Sequence, residues 1–481
     1  MNSLVRRLFA HTSIETMRSQ SEKSGLRRAL RGRDLVAIGL GTMIGGGIFT
    51  TIGPGVQKAG PAIVIAFVLA GLASLFAALS YAELGSMVPI SGSAYTYAYA
   101  TLGQLVAWII GWDLILEYGV SAAPVAQQFS ASFQEALRHF GLVVPAWAHD
   151  AHYATNGAWW AFDPLHSHYD IIGALFVLLI SVLLSLGIRE TATSNNAFVI
   201  VKIAALVVFV IAGLSLFHPA NLVPFAPQGW GHIAFGASGN GIIPAAALVF
   251  FTYIGFDSAT TTAEECVNPQ TDVPNGVLGS LAVGTIIYCV VAIVLVGIVP
   301  WREVDQTAAL SAAIAPLHNP FVDWTITIGV LAGTTSVALT SLLGQTRIFY
   351  SMARDRMLPP FVATLHPRLK TPALMTMITG VVVALLTLIV PLDALLELVN
   401  IGTFSAFIIV CGGVIYLRRA RPDLERPFRS PFVPLFPILG ITLSIFLSSI
   451  GLGPFTWLRF FVWLIIGLCV YFAYGYHRSR P

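Results

Sequence analysis

The sequence predicts an all-α polytopic membrane protein of twelve transmembrane helices, and three observations carry that prediction. Only 10% of the 481 residues are charged against 56% hydrophobic, with a mean hydropathy of +0.78; soluble domains carry about 25% charged residues. Apolar runs of the roughly 20 residues that a helical crossing needs recur from Leu35 to the end of the chain. Basic residues collect in alternate connections between those runs.

The runs fall near 35–57, 62–86, 96–129, 169–188, 196–216, 239–262, 276–299, 323–352, 373–391, 395–417, 433–450 and 456–476. Of 26 Lys and Arg, eight precede Asp34, and segments 347–370 and 418–429 hold five each. With the N-terminus inside, these clusters join Arg189, Arg478 and Arg480 on the cytoplasmic side, 21 in all. Four (Lys58, Arg138, Arg302, Arg459) then lie outside and Lys202 within a span. The positive-inside rule places both termini in the cytoplasm, as an even number of spans requires. The basic tail 1–33 is expected to lie along the anionic inner leaflet, and no cleaved signal is expected before the first run.

The first run is broken by Gly39-Leu-Gly-Thr-Met-Ile-Gly-Gly-Gly-Ile-Phe49, with five glycines in nine positions. Each costs a helix about 1 kcal/mol relative to alanine. An unwound backbone survives in hydrocarbon only where protein or a watery cavity covers it, and there its freed groups can hold a polar solute. The sixth run is interrupted as well, by Gly239-Asn-Gly-Ile-Ile-Pro244 at its start and Phe250-Phe-Thr-Tyr-Ile-Gly-Phe-Asp257 in its middle. Two interruptions five spans apart point to inverted repeats with a solute site at the midplane.

Lys202, in the fifth run, is the sharpest single residue. A charged lysine at a helix centre costs about 2.5–3.5 kcal/mol on insertion scales, so it should face the bundle interior, snorkelling to the interface being the alternative. Burial makes release of its proton accessible. Asp113 and Glu117 lie four apart on the third run, Glu117 deep enough to meet a polar or cationic group. Glu83 and Asp257 lie nearer an end or a break, where a structural hydrogen bond competes with proton transfer, and Arg347 reads as an interfacial anchor.

Several function classes drop out. All eleven histidines fall outside the runs, so no histidine relay crosses the membrane. The hydrolase elbow, the zinc-protease helix and the phosphate-binding loop are absent from the sequence. Cys266, Cys289, Cys411 and Cys469 lack metal-ligand spacing. The 130–168 connection carries His139, His149, His152, His166 and His168 with Asp150 and Asp163, and Asp170 just beyond it, yet their spacing fits no zinc pattern and a solvated loop is expected. No metal, nucleic acid or enzymatic activity is expected.

Six motifs in order, Gly41-Thr-Met-Ile-Gly-Gly-Gly-Ile-Phe49, Pro89-Ile-Ser-Gly-Ser-Ala-Tyr95, Gly111-Trp-Asp-Leu-Ile-Leu-Glu-Tyr118, Phe251-Thr-Tyr-Ile-Gly-Phe-Asp257, Glu264-Glu-Cys-Val-Asn-Pro269 and Gln345-Thr-Arg-Ile-Phe-Tyr350, resemble the amino acid–polyamine–organocation transporters. The bacterial branch of the cationic amino acid transporter family is the nearest resemblance. It implies the leucine-transporter fold: a first repeat over 34–216, an inverted second over 239–417, two more helices within 431–476 and a short tail, 477–481. It also implies alternating access and secondary import of L-amino acids. The substrate carboxylate would meet N–H groups at Ile44, Gly45, Gly46 and Gly47, consistent with the attraction of helix N-termini for anions. The ammonium would meet carbonyls at Phe251, Thr252 and Ile254, while Ser341 would floor the pocket. Lys202 would stand where sodium-coupled relatives hold their ion, with the proton as coupling ion and no other cofactor. Exchange or uniport, cationic amino acids, and polyamines or organic amines are the alternatives. The chain is expected to work as a monomer in the bilayer, its lipid-facing surfaces leaving room for a small single-span partner.

Overall fold

The computed structural model describes residues 30–88, 93–155, 162–187, 192–232, 234–235, 239–369 and 371–478. Most of the basic tail, part of the motif beginning at Pro89, Arg189 and Arg480 therefore lie outside the described residues, as does the side chain of His166.

Each of the twelve apolar runs contains helix. In chain order the principal helices are α1 (Gly32–Ala59), α2 (Ile63–Met87), α3 (Ser93–Thr101), α4 (Gln104–Leu114), α5 (Ala122–His139), α6 (Ile171–Ser185), α7 (Ala192–Leu214), α8 (Ile242–Val249), α9 (Ser258–Thr261), α10 (Pro269–Ile298), α11 (Ala309–Ile314), α12 (Pro320–Arg354), α13 (Ala373–Ile389), α14 (Leu392–Ala420), α15 (Leu435–Gly451) and α16 (Pro454–Val470). Eight helical stretches among the described residues are long and apolar enough to cross a bilayer, and α6, α13 and α15 are shorter apolar helices. The chain is an all-α polytopic membrane protein.

Local chemistry sets several ends. Asp170 caps α6 by accepting from the Gly173 N–H at 2.8 Å, and Asn319 caps α12 by accepting from Phe321 N–H at 3.0 Å. Pro320 and Pro454 occupy first helical positions, where a missing N–H costs nothing.

Two expectations need correction. The third run is not one helix from 96 to 129. Gly103, at φ 95, ends α3 and starts α4, a turn that a residue with a Cβ would resist. Helix then persists through a π turn (Ile115–Val120) to His139, so the expected loop starts about ten residues late. Nor is that connection simply coil: β1 (His152–Thr155) pairs antiparallel with β2 (Phe162–His168), with His152 opposite His168.

Small residues set the packing. A Cβ on Gly276 would lie 2.4 Å from Leu35 Cβ, and one on Gly380 would lie 2.0 Å from Ser181 Oγ, so α10 seats on α1 and α13 on α6 at near-backbone distance. The helices α1, α2, α8 and α10 pack as one group, and α5, α6, α12 and α13 as another, with α7 against α12 and α1.

Candidate functional site

The first span unwinds where its glycines collect. Within α1, Ile44 (φ −83, ψ 113) and Gly45 (φ 135, ψ −56) leave the helical region, and only glycine takes the latter conformation without strain. The half-helix that follows begins with the N–H groups of Gly46 and Gly47, unsatisfied by the helix itself. In the sixth span α8 ends in a 3-10 turn (Phe250–Tyr253), Ile254 is extended (φ −63, ψ 130), and Gly255 has φ 113. The two breaks meet each other. A Cβ on Gly47 would sit 2.4 Å from Thr252 Cα, and one on Gly255 2.8 Å from Thr42 Cβ. Thr42 fastens them by donating to the Gly255 carbonyl at 2.8 Å, with the Ser258 hydroxyl also at 2.8 Å.

The surrounding spans close on this junction. Gly45 abuts the Gly333 carbonyl of α12, and Gly46 lies between Val125 of α5 and Val337 of α12. One turn along α12 Ser341 approaches Ser121, oxygen to oxygen 3.5 Å, so Ser341 stands near the breaks. Phe251 and Thr252 are buried and Ile254 half-buried. Of the carbonyls assigned to an ammonium, Thr252 O accepts from the Tyr288 hydroxyl at 3.0 Å, and Phe251 O accepts from Ile254 N–H at 3.2 Å. Each oxygen retains a second lone pair.

Lys202 is fully buried and its ammonium donates to Gly41 O at 2.6 Å, one turn before the break. The snorkelling alternative does not describe this geometry. A cation here satisfies a carbonyl at the C-terminal end of the first half-helix, where the peptide dipoles favour positive charge.

The π turn in the third span carries Glu117, which is buried. Such turns recur at functional sites because the extra residue rotates the side chains beyond it. Among the described residues nothing hydrogen-bonds its Oε2. Tyr118 donates to Asp257 Oδ2 at 2.7 Å, linking third and sixth spans below the breaks. Asp113 instead accepts from Ser405 of α14 at 2.7 Å. Tyr118, Thr42 and Tyr288 were not singled out by sequence; a tyrosine adjoining an intramembrane acid was the available signal for the first. Glu83 is held by Arg418, and Arg347 is exposed near the end of the eighth span. His168 and His149 both approach Asp150 (3.3 and 3.8 Å), and no cluster with metal-binding geometry occurs among the described residues.

Two helices broken opposite one another inside a polytopic bundle, with a buried ammonium on one of the breaks, define a membrane transporter. Comparison with known sequences makes this specific. The amino acid permease family profile matches residues 30–471, and the chain belongs to that family, within the amino acid–polyamine–organocation superfamily. It is 42% identical over 477 residues to the branched-chain amino acid permease BcaP of Bacillus subtilis (strain 168), covering 98% of both chains. It is 39% identical, again over 98% of both, to the methylthioribose transporter of the same organism. The vacuolar cationic amino acid transporter 4 of Arabidopsis thaliana is 35% identical over 88% of this chain and 68% of its own. The family and these relatives are transporters, not enzymes.

Proposed function

We propose that the protein imports L-amino acids across the cell membrane by alternating access, coupled to proton entry. The arrangement proposed with it is twelve spans as two inverted repeats of five plus two helices, both termini cytoplasmic. The observation that carries the reading is the junction of the two breaks with Lys202 bonded to Gly41 O at 2.6 Å. N–H groups at Gly45, Gly46 and Gly47 suit a carboxylate, and carbonyls at Phe251, Thr252 and Ile254 suit an ammonium, so the backbone alone recognises a zwitterion. Protonated Lys202 holds the first half-helix closed through its charged bond to Gly41 O; loss of its proton towards the cytoplasm removes that charge, weakens the bond and loosens the bundle. Glu117 is a second group able to hold a proton on that path.

The relatives' names include branched-chain and cationic amino acids and methylthioribose, so the substrate is the open variable. Labelled leucine uptake into liposomes, with and without an inward proton gradient, tests the reading, with all twenty amino acids and methylthioribose as competitors. Gradient-driven accumulation blocked by amino acids is the expected result. Counterflow that ignores the gradient makes the protein an exchanger or uniporter. Uptake of labelled methylthioribose by liposomes that take up no leucine, with no amino acid competing, overturns amino acid import.

A further inference from the structure

A second buried ionic site lies at the end of α2, on the face that is cytoplasmic in the proposed topology. Glu83, near the end of α2, is 1% exposed. Arg418, at the end of α14, grips it with two parallel bonds, Nε to Oε1 at 3.0 Å and Nη2 to Oε2 at 2.7 Å. The Ser430 N–H adds a bond to Oε2 at 2.8 Å, and Arg426 Nε stands 3.5 Å from Oε1. Three residues along α2, the Ser86 hydroxyl accepts from Phe428 N–H at 3.2 Å.

Arg426 shapes the connection that delivers these groups. Its guanidinium donates to the carbonyls of Leu424 and Arg421, both at 2.7 Å, and to Leu417 at 3.2 Å. It thereby satisfies acceptors at the end of α14 and folds 421–430 back beneath it. The outcome is a strap between the tenth and eleventh spans that lies across α2. That helix belongs to the packing group holding both breaks and α14 packs against it, whereas the strap is a connection outside that group.

Buried ion pairs seldom add net stability over apolar residues, and their best-attested use is to select one arrangement over another. We propose that Glu83, Arg418 and the strap amides of Phe428 and Ser430 form a latch. It releases each time the α1, α2, α8 and α10 group tilts to open the substrate junction to the cytoplasm. The proposal rests on the transport reading, since a latch has a function only where the groups move.

A reversible crosslink tests it. In liposomes, Ser86→Cys with Phe428→Cys places two thiols where one hydrogen bond now joins the segments. Oxidation should reduce leucine uptake at least tenfold and reductant should restore it, while wild type, with its four native cysteines, ignores both treatments. Equal uptake by the oxidised and reduced variant, with the crosslink confirmed, overturns the latch. Should the double variant fail to fold, Glu83→Gln decides. The expected result is at least a threefold change in counterflow rate with substrate affinity within twofold, partly reversed by Glu83→Asp; unchanged counterflow overturns the proposal. Wild-type liposomes that transport nothing refute the transport reading itself, before any variant is made, and the latch with it.

Discussion

Replacing Gly47 by alanine asks whether the contact between the two breaks is what makes the binding junction. An added Cβ would lie 2.4 Å from Thr252 Cα, 3.0 Å from its Cβ and 3.1 Å from its carbonyl oxygen. Carbon atoms pack at about 3.5–4.0 Å, so the two segments must separate by about 1 Å. None of the opposing atoms can rotate away, because they are backbone or fixed to it. Overpacking of this kind costs about 1–3 kcal/mol, equivalent to a loss of about 5- to 150-fold in the population of the binding-competent junction. Gly412→Ala is the matched control. It lies within α14 with nothing inside 4 Å of an added Cβ, so it should gain a little of the roughly 1 kcal/mol by which alanine outranks glycine in helices. Substrate affinity and thermal midpoint should be measured for both variants in the same detergent. The expected pattern is a large loss of affinity for Gly47→Ala and none for Gly412→Ala. A Gly47→Ala protein that folds and binds within twofold of wild type would refute the idea that this approach builds the site.

Lys202→Met keeps the length of the side chain and removes its charge, leaving Gly41 O unpaired at a cost of about 1–3 kcal/mol. Proton-driven accumulation should vanish while counterflow persists, and unaltered proton uptake would remove Lys202 from the coupling. Thr42→Val deletes the two 2.8 Å bonds that tie the first break to the sixth. A similar cost should appear as a lower thermal midpoint and at least fivefold weaker substrate binding. Asp355, just past α12, accepts from the Tyr95 hydroxyl at 2.7 Å, and burial holds its carboxyl above the usual carboxylate range despite that bond and Arg354. Its folded pKa is raised, so its contribution to stability is complete below the ordinary value of about 3.9 and is lost as pH rises through the raised value. Thermal unfolding from pH 4 upward should show wild type falling relative to Asp355→Asn; parallel profiles would contradict this.

The legible parts of this protein were those whose cause lies in a short stretch of chain. Hydropathy over about 20 residues located the helices, because each must satisfy its own backbone in lipid. The glycines at 45–47 announced a break, because each lowers local helix stability independently of what packs nearby. The cost of an unshielded intramembrane charge placed Lys202 indoors. Illegible features depended on neighbours distant in sequence. Gly103 reads as any membrane-helix glycine until its φ of 95 divides α3 from α4. The Thr252 carbonyl gains a hydroxyl donor only because α10 brings Tyr288 to it.

Composition, hydropathy and glycine clustering sufficed to predict a polytopic α-helical membrane protein with two interrupted spans, since each is a one-dimensional consequence of solvent and backbone energetics. Which groups meet was settled in three dimensions: Lys202 with Gly41, Tyr118 with Asp257, and Glu83 with Arg418 across 335 residues of chain. Charge and hydrogen-bonding capacity are properties of single residues, but pairing depends on helix rotation and crossing, which only the packing of all the spans together determines.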